Sequence, residues 1–374
     1  MPSRSLSVLG FITAAAIIAC YLLINDRSQS AVWGKPDESV VFPGLEQQLA
    51  EVVDIEVTRS NGQFVLSRRD GIWINNGAGG FPAIQVRVDR ALSAIARLKY
   101  SEPKTRRSEL YSKLGVDDVN AQMNSESSFK ADSKSTRLTV KNAVGAVLAD
   151  VIIGNPKDSL YKGVGEHGSL YIRLPENELS WLAEGAVDAR FDALEWSETQ
   201  VTDFAADSLL ALTVSHSQGE VVELHRKQSN DRKLTLKHLP DGAKIEHQYQ
   251  IDFMAGLLQQ LSFAEIRRND SVDFPIFEAI VETNLGVIVK LQIDETLPDG
   301  SAWARVDAQL KNDTKSSALA EQEVNRIQST FSGWQIRLPR KFTDRVKIKL
   351  SDILSSQQLI KTTNAYSVRV GGGD

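Results

Sequence analysis

Residues Leu6 to Ile24 read LSVLGFITAAAIIACYLLI, nineteen consecutive positions without a charge. As a helix rising 1.5 Å per residue this run is roughly 28 Å long, which matches the hydrocarbon core of a bilayer. A helix apolar on every side has to be buried, and so near a terminus lipid is the natural place for it. The sequence predicts a retained transmembrane helix over 6–24, preceded by a cytoplasmic N-terminus, residues 1–5. A cleaved signal would have a shorter apolar region and a small-residue cleavage site. Here the run continues through Tyr21, Leu22, Leu23 and Ile24 to Asp26 and Arg27. Ile17-Ile18-Ala19-Cys20 loosely resembles a lipobox, but Ile18 stands where a small residue is needed. Arg4 and the amino terminus, set against an Arg27 offset by Asp26, orient the chain with its N-terminus inside. The expected location is the inner (cytoplasmic) membrane, single-pass, with the bulk of the chain periplasmic or otherwise extracytoplasmic. Gly10 and Ala14 are candidate helix contacts, because small residues let backbones approach in lipid.

The polar stretch 25–40 reads as a tether, with Gly34 and Pro36 as breakers and Trp33 placed to anchor at the interface. The 374 residues suggest about two domains, and 42% apolar with 24% charged residues fits a globular core. Forty-three Lys and Arg against 48 Asp and Glu, spread along the chain, argue against nucleic acid as a partner. Cys20 is the only cysteine and lies in the apolar run, so the rest of the chain can form no disulfide, thiolate metal site or thiol nucleophile.

Val52 to Ile74 alternates as a meander, with Asn61-Gly62 and Asp70-Gly71 as turns. Val88, Ala91, Leu92, Ile95 and Leu98 then form one helical stripe, and Ser108 is a candidate cap before Tyr111 and Leu114. Strands are expected again at 137–140, 147–153 and 170–172. The same order returns later. VTRSNGQFVLSRR (57–69) aligns without gaps on VSHSQGEVVELHR (214–226), and VKNAVG (140–145) on VETNLG (281–286). Tyr171-Ile172-Arg173 corresponds to Trp303-Ala304-Arg305, and a second helix carries Ile251, Met254, Leu257, Leu258 and Leu261. A last helix over 318–331 places Ala320, Val324, Ile327 and Phe331 on one face. The expected fold class is α+β: antiparallel β-meanders, each packed with a helix, duplicated in tandem. The first repeat is expected over 41–195, the second over 196–354 with the C-terminal helix, and a disordered tail over 355–374.

IEVTR (55–59), DGIW (70–73), YSKLGVDD (111–118), IIGNP (152–156) and GWQIRLPRKFTDRVKIKLSDIL (333–354) follow the anchor in order. With it they resemble a bacterial domain-of-unknown-function family of membrane-anchored proteins, often encoded beside gliding-motility-type ABC transporter subunits. The resemblance runs from about residue 41 to 354 and implies an extracytoplasmic accessory subunit. It carries over no catalytic residues. The Gly-rich loop Asn75 to Gly80 and the polar stretch 119–136 depart from the family pattern.

No motif for chemistry stands out. His216, His225, His238 and His247 cluster in the second meander without an HxH or HExxH arrangement, and solvent-facing strand positions account for them. Gly77, Gly79 and Gly80 lack the Gly-Lys-Ser/Thr of a phosphate loop, and no Gly-x-Ser-x-Gly elbow is present. The chain is therefore read as no enzyme, with no cofactor and no metal. Arg337, Arg340, Lys341, Arg345, Lys347 and Lys349 form the densest basic stretch, read either as a solvated edge strand or as a contact patch for anionic headgroups or an acidic partner. The function expected is an accessory or scaffold subunit of an ABC-transporter-type assembly, acting by protein contacts on integral-membrane subunits. The alternative is a lipid- or glycan-binding module with a cleft between the halves.

Overall fold

The computed structural model describes residues 40–355, apart from positions 61 and 241 and segments 120–134, 158–167, 189–191, 227–232, 270–273 and 312–316. The expected spanning helix, with Gly10, Ala14 and Cys20, lies outside the described residues, as do Trp33 and the tail from 356. Among the described residues no helix is long and apolar enough to cross a membrane.

The chain is α+β, dominated by antiparallel strands, and packs as two units. The first runs to Arg68 and resumes over Val86–Phe191; the second takes Arg69–Gln85 and the chain from Asp192 onward. In chain order the strands of the first half are β1 (Val52–Arg59), β2 (Gly62–Arg69), β3 (Ile72–Asn75), β4 (Phe81–Pro82), β5 (Lys99–Pro103), β6 (Thr136–Asn142), β7 (Val147–Pro156), β8 (Ser169–Arg173) and β9 (Ser180–Glu184). Those of the second are β10 (Gln200–Thr202), β11 (Leu209–His216), β12 (Val221–His225), β13 (Thr235–Leu236), β14 (Leu261–Ser262), β15 (Glu265–Arg268), β16 (Phe277–Thr283), β17 (Val287–Thr296), β18 (Ala302–Leu310) and β19 (Trp334–Leu338). The longer helices are α1 (Gln85–Ala96), α2 (Gln248–Ala255), α3 (Ala318–Phe331) and α4 (Arg340–Val346).

In the first unit the sheet runs β2-β1-β6-β7-β8-β9-β5, and in the second β13-β12-β11-β16-β17-β18-β19-β15. From the first hairpin onward the two orders coincide, and so do the registers. Ile55 faces Val140 and Val57 faces Leu138 in one unit; Leu212 faces Val281 and Val214 faces Ala279 in the other. Extended by two residues at their starts, the matched segments place these pairs at equal positions. The hairpins differ by one residue, since Val57 faces Phe64 whereas Val214 faces Val222. Val65, aligned with Val222 in the ungapped match, therefore turns to the opposite face, because side-chain period in a strand is two. Val65 is half-buried and Val222 fully buried.

Helix α1 buries Val88, Ala91, Leu92 and Ile95 of the predicted stripe, with Ala96 beside them; it ends before Leu98, which is buried just past the helix. Ser108 opens a short 3-10 turn and caps nothing; Leu110 is the residue before the Tyr111–Leu114 turn. The second predicted helix is shorter than its apolar pattern. It stops at Ala255, Leu257 and Leu258 are buried in a turn, and Leu261 begins β14. Gln260 ends that turn at φ 47°, its amide donating to Asp203. Helix α3 lies on β18 and the neighbouring β17 and buries Ala320, Val324, Ile327 and Phe331 in the core of the second unit.

The segment 69–85 is built into the second unit. Phe81 is fully buried, with its ring centroid 5.1 Å from Trp334 and 6.0 Å from both Phe263 and Phe331. Asn75 donates through its buried amide to Ala193 O at 2.6 Å and to the Ser197 hydroxyl at 3.1 Å. The Gly-rich loop of the sequence is thus a core-forming turn, with Gly79 in the left-handed region (φ 64°) over the Trp334 ring.

Candidate functional site

The second unit carries a groove of about 590 Å³ lined by three chain segments. Glu198 to Phe204 form one wall, held where β10 pairs with β14. Leu285 comes from the β16–β17 turn, and Leu319, Gln322, Glu323 and Arg326 come from α3. Their spacing of three, four and seven residues puts them on one helical face, beside the stripe that α3 buries. Ser317 caps α3 by accepting from the Ala320 amide at 3.1 Å, which fixes where that face begins.

The polar groups of the groove are already engaged. Thr202 donates its hydroxyl to Leu258 O, Glu198 accepts from the Gln200 amide, and Asp203 accepts from Gln260. Arg326 bonds Glu323 and donates to Val201 O. The hydrogen bond to Glu323 raises the guanidinium pKa, against the desolvation that lowers it. The groove thus presents apolar surface at Phe204, Leu285 and Leu319, the last 66% exposed, with the carboxylates of Glu198 and Asp203 at its wall. No nucleophile–base pair lines it. Such a surface suits binding of an apolar segment that carries a cation.

The basic stretch of the sequence divides between β19, α4 and the turn after it. Arg337 sits on β19, which lies between β18 and β15, so it belongs to an inner strand and not to an edge. It pairs with Glu265 and Asp299 and donates to the Ser301 hydroxyl. Bonds from the Ser301 hydroxyl and amide, with Arg337 beside them, lower the Asp299 pKa to about 2. Arg340 pairs with Asp344 at 3.2 Å, and Lys347 reaches the same carboxylate at 4.0 Å. Lys341 lies over the Phe342 ring and Arg345 over the rings of Phe253 and Phe342. Lys349 is exposed, and its backbone N–H donates to Asp352.

The histidines do not converge. His216 is buried against Phe277, His238 is exposed beside Glu223 and His247 lies against Tyr249. Among the described residues no group of three or more His, Cys, Asp or Glu could hold a metal ion. Several family-like motifs meet in the first unit around buried Arg173. Its guanidinium donates to Val116 O and Asp118 and lies over Tyr111, while Gly154 packs against the Leu114 carbonyl, where any side chain would collide. These residues build a structural knot. The groove went unread in the sequence because its walls are far apart in the chain; the one local signal was Leu319 on the polar face of α3.

The sequence model of a family described as a domain of unknown function (DUF4340) matches residues 73–274, more than half of the chain. The chain belongs to that family. No curated protein matches it.

Proposed function

We propose that this member of the DUF4340 family is a membrane-anchored extracytoplasmic accessory or scaffold subunit. It works by protein contacts with the integral-membrane subunits of an ABC-type transporter, and the groove of its second unit seats part of that partner. The groove is the observation that carries the reading: it offers open apolar surface between satisfied polar groups, which favours binding over chemistry. The carboxylates of Glu198 and Asp203 at its wall favour an apolar partner segment bearing Lys or Arg. An anchor at 6–24 in the inner membrane would hold the exported domain beside an integral partner and raise its effective concentration there. The chain's resemblance to membrane-anchored proteins often encoded beside ABC transporter subunits supports that partner class. The common strand order and register of the two units, with the matched segments, support their origin as a tandem duplication.

The test is purification of the full-length chain from gently solubilised membranes, with the co-purifying proteins identified. Wild type is expected to recover the spanning and ATPase subunits of one transporter. Leu319→Arg, a change at an exposed position of α3, is expected to reduce recovery by about tenfold or more. Equal recovery by both would remove the groove from the account, and recovery of no transporter subunit would remove the scaffold reading.

A further inference from the structure

Helices α2 and α4 bring together a cation–aromatic cluster that no part of the proposed function uses. The Arg345 guanidinium carbon lies 4.9 Å from the Phe253 ring centroid and 5.5 Å from that of Phe342, and Lys341 Nζ lies 4.7 Å from the latter. Arg345 Nη2 sits over Gly256, where an added Cβ would come within 3.2 Å of it. Among the described residues Arg345 has no hydrogen bond or ion pair, and its Nε is buried without a partner. Burial lowers its pKa, and no carboxylate acts to raise it. The nearest acid in sequence, Asp344, is taken by Arg340 and Lys347. Two cations therefore share the Phe342 ring with no anion between them. Phe253 and Tyr249, one helical turn apart on α2, stand 40% and 62% exposed beside this charge.

A guanidinium half withdrawn from water, with its donors unspent, fits two oxygens of a carboxylate or phosphate by two parallel hydrogen bonds. A second cation beside it suits the charge of a phosphate better than that of a single carboxylate. We propose that Arg345, seated between Phe253 and Phe342 over Gly256, is the receptor for a phosphate group, with Lys341 as the second cation and Tyr249 and Phe253 as an aromatic lip. The phosphate can come from a phospholipid headgroup, whose glycerol and acyl region the lip would contact, or from a free phosphate. This site is independent of the groove and of the transporter reading.

The experiment titrates the full-length chain in neutral detergent with inorganic phosphate and, separately, with dihexanoyl phosphatidylglycerol, followed by phosphorus NMR line broadening. Saturable binding to wild type is expected. Binding about tenfold weaker is expected in Arg345→Gln, with a smaller loss in Gly256→Ala, which keeps the charge and crowds the guanidinium. Thermal melting of each variant, measured alongside, shows that it is folded; should Arg345→Gln not fold, Gly256→Ala and Arg345→Lys carry the comparison. Tighter binding of the lipid assigns the site to a headgroup, and equal binding of both probes assigns it to a free phosphate. The proposal is overturned if neither probe binds, or if the folded variants bind like wild type.

Discussion

Phe81→Ala tests whether the 69–85 segment is part of the second unit's core. The ring is fully enclosed and meets three aromatic side chains. Its neighbours belong to β19, α3 and the strand-linking turn at Phe263, so they cannot all close in on the space left behind. Truncations of this kind cost about 3–5 kcal/mol. With a urea dependence of about 2 kcal/mol per molar, the unfolding midpoint should fall by roughly 1.5–2.5 M. Tryptophan fluorescence is the assay, because Trp334 lies against Phe81 and Trp73, Trp196 and Trp303 belong to the same unit. A segment merely lying on the surface would lose less than about 1 kcal/mol. A midpoint shift under about 0.5 M, with the dependence unchanged, would refute the assignment.

Asp294→Ala removes the bidentate partner of Arg305, bonded at 2.6 and 2.9 Å, and the acceptor of the Gln335 amide. The carboxylate is 4% exposed and Arg305 21%, so a loss of about 2–4 kcal/mol is expected, somewhat below that of a fully buried pair; chemical denaturation checks it. Burial lowers the His216 pKa from its usual 6.5, so the unfolded chain takes up this proton first. Stability from the neutral imidazole is present above about 6.5 and declines as pH falls from there through the lower folded pKa; His216→Gln should flatten that part of the denaturation profile. A reporter active only outside the cytoplasm, fused after Leu350, should be active, and activity confined to a cytoplasmic reporter would reverse the proposed orientation.

Local periodicity makes most elements legible in the sequence. The α1 and α3 stripes are complete repeats of the helical period, and Ile55 and Val57 alternate as a half-buried strand should. Matched strand positions were readable too, since Val57 and Val214 occupy like register positions in the two sheets. The hairpin's second strand was misjudged by one place, since a single extra residue in a turn inverts a strand's faces without disturbing its composition. Leu257 and Leu258 misled for a related reason: burial in a turn leaves the same apolar signature as burial on a helix. The destination of Phe81 could not be read, because nothing in Asn75–Pro82 records partners that lie about 180 to 250 residues further along. The same holds for the groove and for the Arg345 cluster. Arg345 looks like one more cation in a basic run, and only the fold distinguishes it from Arg337, whose acids come from β15 and the β17–β18 turn.

The claim that the groove seats a transporter subunit is tested most directly by crosslinking from inside it. A photoreactive phenylalanine analogue at position 319, introduced into the full-length chain in intact cells, samples whatever occupies the groove without detergent or purification. The account predicts an adduct to a membrane-spanning subunit of an ABC-type transporter, absent when the same analogue replaces exposed Val144 in the first unit. Equal adducts from both positions, or none from 319 while the protein is folded and anchored, would contradict it.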